Sequence, residues 1–151
     1  MKKNLLIILL LLLNSCGFTP IYSSNDSNYN IISFKKNINN NLTSYIQNSI
    51  SALSNEDASK SLNINLNFTE DILVILKDSK GDPSRNRLTV TIDMSISGEN
   101  ENLIASNVFS ESFEYNIDDN KFNLKQYEKN LKFSLVEQIT QQIIAFLANL
   151  K

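Results

Sequence analysis

Two stretches of this chain alternate apolar and polar side chains without a break, and that period of two limits the fold more than any other feature. Leu62, Ile64, Leu66 and Phe68 fall on one side of an extended backbone, with Asn63, Asn65 and Asn67 on the other. Leu88, Val90, Ile92, Met94 and Ile96 repeat the pattern against Thr89, Thr91, Asp93 and Ser95. A strand of this kind buries one face and leaves the other polar, so the two runs predict a sheet covered on one side only. A third run, Leu103 to Tyr115, alternates less cleanly through Ala105, Phe109 and Phe113; the turn Gly98–Asn102 joins it to its predecessor as a hairpin.

The cover must come from helices. Residues 41–54 carry Leu42, Tyr45, Ile46, Ile50 and Leu53 at helical spacing, and Asn40 or Asn41 is placed to cap the first turn. From Asn123 to Leu150, the residues Leu124, Tyr127, Leu131, Leu135, Ile139, Ile143, Phe146, Leu147 and Leu150 form a sustained stripe. Phe133, Val136 and Ile144 widen it, and Asn123 with Gln126 resembles a capping box. A short strand, Tyr29–Phe34, precedes both helices. The order is β-α-β-β-β-α. It predicts an α+β fold, a largely antiparallel or mixed sheet of about four strands with two helices packed on one face.

Residue types exclude much chemistry. The chain has no His and one Cys, which rules out a Ser-His-Asp triad, a Cys-His nucleophile, a His-Cys metal site and an internal disulfide. No cofactor or metal is expected. Asp118-Asp119 and Glu99/Glu101 sit in apparent turns, where acidic residues are ordinary, so the chain does not read as an enzyme. Nor is it a nucleic-acid binder, because no basic run exceeds Lys35-Lys36.

The first residues explain the lone cysteine. Lys2 and Lys3 precede an apolar run, Leu5 to Leu13, too short to span a bilayer, and Asn14-Ser15-Cys16 follows. Leu13-Asn14-Ser15-Cys16 resembles the lipobox of bacterial lipoproteins, with Asn14 its one unusual letter. That resemblance implies a diacylglyceryl group on the Cys16 thiol, cleavage before it and acylation, as by palmitate, of the new amino group. Two or three acyl chains give a durable anchor. Residues 1–15 are then a signal peptide, 16–28 a tether and 29–151 one domain. Cleavage takes Lys2 and Lys3 from the 14 basic residues, leaving 12 against 16 acidic ones, a net charge near −4. Gly17, where Asp commonly signals inner-membrane retention, implies sorting to the outer membrane.

Cys16-Gly17-Phe18-Thr19-Pro20-Ile21-Tyr22 resembles the Cys-Gly-Phe-x-Pro-aliphatic-Tyr opening of the lipopolysaccharide-assembly lipoproteins of the LptE family. The element order behind it agrees, as does Tyr115-Asn116 before a long last helix. The resemblance implies a plug and assembly partner inside the lumen of the LptD outer-membrane β-barrel, facing the periplasm from its lipid anchor. It also implies contact with lipopolysaccharide. A polar, nearly uncharged sheet face suits a barrel lumen, and equally suits solvent. The competing reading is a free-standing periplasmic lipid-carrier lipoprotein, which needs an internal apolar cavity.

Two groups of residues are candidates for contact. Ile72-Leu73-Val74-Ile75-Leu76 is apolar on both faces, although helices on one face would leave Leu73 and Ile75 uncovered. They require a partner, a lipid chain or, most simply, the protein's own loops. Lys77, Lys80, Arg85 and Arg87 flank the turn Asp78–Ser84, where Asp78 and Asp82 reduce the charge. Basic groups beside apolar ones suit a phosphorylated lipid such as lipopolysaccharide. The family resemblance implies a basic residue leading into the central strand, a place that Arg85 or Arg87 fills.

Overall fold

The computed structural model describes residues 28–150. Cys16, the signal peptide and nearly all of the tether lie outside them. The described chain forms β1 (Tyr29–Lys36), α1 (Asn41–Ser51), β2 (Lys60–Lys77), β3 (Pro83–Ser97), β4 (Leu103–Asn116) and α2 (Lys121–Ala148). The four strands make one mixed sheet in the order β1-β2-β3-β4. β1 runs parallel to β2 because α1 carries the chain back between them. The hairpins β2–β3 and β3–β4 are antiparallel.

Register follows from the alternating runs. Ile64 lies opposite Ile96, Leu66 opposite Met94 and Phe68 opposite Ile92, so apolar residues of adjacent strands share one face. These side chains, with Leu62, Leu88 and Val90, are at most 2% exposed. Ile46 and Ile50 of α1 and Leu135, Val136, Ile139, Ile143 and Leu147 of α2 close over them in one core. Each fully buried aliphatic side chain contributes about 1.5–3 kcal/mol. Edge-on contacts of Phe109 with Phe146 and tilted contacts of Tyr45 with Phe133 tie the second helix to the sheet and to the first.

The helix starts are set by asparagines. The Asn40 side chain accepts from the Thr43 N–H at 2.9 Å, and the Thr43 hydroxyl accepts from the Asn40 N–H at 3.2 Å, a reciprocal cap. For α2 the cap is Asn120, which accepts from Phe122 and Asn123, not the Asn123–Gln126 pair expected. The helix begins three residues earlier than that pair would set it, because Asn120 offers its oxygen to the free amides of Phe122 and Asn123. The tight turn into β3 needs Gly81, whose φ of 90° lies where a Cβ would be strained.

Candidate functional site

β2 is longer than its neighbour. β1 pairs with it only as far as Lys36 opposite Leu66. Asn37 then closes the ladder with its own amide. Its backbone N–H donates to the Leu66 carbonyl at 3.2 Å, its side-chain nitrogen donates to the Phe68 carbonyl at 3.0 Å, and its side-chain oxygen accepts from the Phe68 N–H at 2.9 Å. Beyond Phe68, β2 pairs with β3 alone.

The apolar run lies in this unaccompanied half. Ile72, Leu73, Val74, Ile75 and Leu76 are all exposed, from 36% at Ile75 to 53% at Leu73 and Leu76. The expected cover by the protein's own loops is therefore wrong. Asp78–Asp82 is a closed turn in which the Asp78 carboxylate accepts from the N–H groups of Lys80 (2.8 Å) and Asp82 (2.9 Å). Such a turn is too short to fold back over the strands.

A bulge sorts the run onto both faces. Ile72 lies opposite Leu88 and Val74 opposite Asn86, on the side of the helices. Ile75 is the extra residue, and past it Leu76 lies opposite Arg85. Leu73 lies opposite Arg87, so Leu73, Leu76, Arg85 and Arg87 share the helix-free face. On the helix side, Phe113 sits opposite Leu88 and is 49% exposed, which extends the apolar row from Ile72 across three strands. The first half of α2 adds exposed Phe122 and Tyr127. The hairpin end is thus apolar on both sides.

The basic residues differ in availability. Arg87 Nη2 meets Glu114 Oε1 at 2.6 Å, an ion pair open to solvent. Arg85 Nε donates to the neutral Asn116 side chain at 3.1 Å. Among the described residues the ion pairs are Arg87–Glu114 and Lys132–Glu70, so Arg85, Lys77 and Lys80 have no carboxylate within ion-pair distance. The structure brings Leu73 together with Arg85 and Arg87, places Lys77 and Lys80 at the tip, and sets Ile75 apart in the bulge. Leu76, whose place a strict alternation would put on the other face, joins the arginines because of that bulge.

Behind this end, Tyr115 is buried opposite Asn86 and its hydroxyl donates to Glu128 at 2.6 Å. Burial and the neighbouring Glu128 carboxylate push its phenol up to about 12. The rest of the helix-free face is mostly polar, with exposed Ile32, Leu103 and Val108 among its hydroxyl and amide groups. Asn67 donates to Asp93 at 3.2 Å, Asn63 to the Gly98 carbonyl at 2.8 Å, and the Thr91 and Ser110 hydroxyls meet at 2.9 Å. Among the described residues no group of His, Cys, Asp and Glu could hold a metal ion, and no helix is long and apolar enough to cross a membrane.

No family model and no curated protein matches the sequence. Solved structures do match its fold. Rare lipoprotein B from Shewanella oneidensis superposes with a TM-score of 0.59 at 11% identity, over 80% of this chain and 98% of that one. A minor lipoprotein from Acinetobacter baumannii gives 0.63 at 14% identity, over 80% and 91%. Lipoprotein B from Nitrosomonas europaea gives 0.62 at 14% identity, over 88% and 94%. At such identities the likeness is one of fold, and it extends over nearly the full length of each of these lipoproteins.

Proposed function

We propose that this chain is an outer-membrane lipoprotein of the LptE kind, anchored through acylated Cys16, that plugs an LptD-type β-barrel and helps it insert lipopolysaccharide. It binds and positions and carries out no chemical step. The observation that carries this reading is the hairpin end, apolar on both sides and bearing unpaired basic groups, on a fold shared with several lipoproteins.

Each part of the surface has a use in that role. Leu73 and Leu76 lie beside Arg85 and Arg87 as acyl chains lie beside phosphates in lipopolysaccharide. The hydroxyl and amide groups of the helix-free face can hydrogen-bond to a polar lumen without the cost of burying charge. A free-standing carrier would need space between sheet and helices, which Leu66, Ile92, Ile139 and Ile143 fill.

Isolation of the acylated mature chain from outer membranes tests the proposal. A large β-barrel is expected to co-purify with it, and depletion of the chain should lower the amount of correctly assembled barrel. A chain recovered alone from outer membranes, with barrel assembly unaffected by its loss, refutes the plug.

A further inference from the structure

The end of the molecule away from the hairpin carries a separate apolar feature. Tyr29 of β1, Leu62 of β2, Ile104 of β4 and Leu150 past the end of α2 line a groove of about 350 Å³. Tyr29 and Leu62 belong to the core, 6% and 2% exposed, so the groove lies where the core runs out. Ile104 is 49% exposed. It is the extra residue of a bulge, since Ala105 lies opposite Ile96 and Leu103 opposite Ser97. A volume at the lower end of small-ligand sites takes a few side chains, not a folded partner.

The chain itself supplies such side chains close by. Asn28, the first described residue, borders the groove together with Lys60. The start of β1 is fixed there: the Asn55 N–H donates to the Tyr29 carbonyl at 3.0 Å, and the Ile31 N–H to the Ser54 hydroxyl at 2.8 Å. In residues 17–27 the large apolar side chains are Phe18, Ile21 and Tyr22, and residues 23–27 read Ser-Ser-Asn-Asp-Ser. Ser, Asn and Asp are the residue types that reverse a chain. At ~3.5 Å per residue the stretch from Tyr22 to Asn28 reaches about 20 Å, enough to turn back into a groove that Asn28 borders. Charge agrees as well. Lys60 makes no ion pair among the described residues, and Asp26 stands just before Asn28 to meet it.

We propose that Ile21 and Tyr22 dock in this groove, closing the open end of the core with the segment that follows the lipidated cysteine. Proximity selects this occupant. So short a linker gives a local concentration on the order of mM, so even weak apolar docking fills the groove, whereas a lipid chain or a second copy must compete from outside. Docking also shortens the anchor. An extended chain reaches about 40 Å from Cys16 to Asn28, but only about 20 Å from Cys16 to a docked Tyr22. The start of β1 is then held close to the anchoring membrane. β2, with 18 residues at ~3.3 Å each, carries the hairpin end about 55 Å from that point. This orientation rests on the reading that Cys16 is acylated. The docking does not, and loss of the barrel partnership would leave it standing.

The test traps the docked segment by a disulfide in the full chain, in its own membrane. Ser23→Cys sits beside the docking pair and Ser61→Cys at the groove; both changes leave Ile21, Tyr22 and the core intact. Ser51→Cys, at the end of α1, is the comparison, because Ser51 is exposed near the start of β1 but does not line the groove. The parent chain with Cys16 alone sets the background. Under a mild oxidant, maleimide-reactive thiols should disappear about tenfold faster from the 23–61 pair than from the 23–51 pair, the bias that a filled intramolecular site gives.

Adding Ile21→Ser and Tyr22→Ser should abolish that difference, and these substitutions leave every core side chain unchanged. Equal rates for the two pairs, as a lipid chain held in the groove would give, overturn the proposal. So does a difference that survives the two serine substitutions, or a disulfide that joins two chains in place of two positions in one.

Discussion

Leu66 and Leu73 stand seven positions apart on one strand, and truncating each to alanine separates what folds the protein from what it presents. Leu66 is 1% exposed, lies opposite Met94 and points into the core. Leu66→Ala removes buried methyl groups and leaves a cavity, so it should cost about 2–5 kcal/mol. Leu73 is 53% exposed and nothing encloses it. Leu73→Ala loses only the transfer energy of the covered part, and no cavity forms, so the cost should be about 0.5–1 kcal/mol.

Urea unfolding of the mature chain reads the difference as a shift in midpoint at constant slope. Thermal midpoints should fall by about 10 °C for Leu66→Ala and by a few degrees for Leu73→Ala, at roughly 3–6 °C per kcal/mol for a domain of this size. The order should invert in the membrane. Leu73→Ala should release partner barrel or lipid more than Leu66→Ala does, once the amount of folded protein is matched. A Leu73→Ala variant as destabilised as Leu66→Ala refutes the reasoning, because it means that the hairpin end is already covered in the isolated protein.

Two more outcomes bear on the site and on the layer behind it. Arg85→Glu should weaken binding of purified lipopolysaccharide by about tenfold or more, the scale of one lost charge-assisted hydrogen bond. Arg87→Glu should act less on the lipid, since Arg87 is already paired, but should lower stability slightly by setting a second carboxylate opposite Glu114; equal losses of binding would remove the distinction between the two arginines. The second outcome is alkaline sensitivity. The folded phenol of Tyr115 ionises near 12 against an ordinary 10, so the unfolded chain releases its proton first as pH rises. The stabilisation is complete below about pH 10 and is lost between 10 and 12. Tyr115→Phe should flatten that part of a stability–pH curve, and an unchanged slope would show that other groups govern it.

The half of the molecule that buries its side chains is legible in the sequence, and for a physical reason. Where a strand has a core on one side and solvent on the other, every second residue must be apolar, and Leu62–Phe68 and Leu88–Ile96 obey this to the letter. The same holds for the second half of α2, where Leu135, Ile139, Ile143 and Leu147 are buried at steps of four. The first half of α2 continues the stripe with Leu124, Tyr127 and Leu131, yet Tyr127 is 46% exposed. Periodicity records which side chains would suit a core, not whether one lies within reach.

The same limit explains the error at Ile72–Leu76. A run apolar on both faces demands cover on both, and within one chain the only cover available is a loop, so loops were the natural expectation. What sequence could not show is that β1 stops at Lys36 while β2 continues to Lys77, because a strand's length is visible locally but its neighbour's reach is not. The bulge at Ile75 was equally hidden, and with it the placement of Leu76 beside Arg85. Both departures occur where the chain stops burying its own residues. Ile72–Leu76 is the longest exposed apolar run among the described residues, beside smaller groups at Ile32, Leu103, Ile104 and Val108, and a contiguous exposed run is the pattern expected where a partner supplies the cover. The hairpin end is therefore the place to look for partner contacts, and the core is where substitutions report on stability alone.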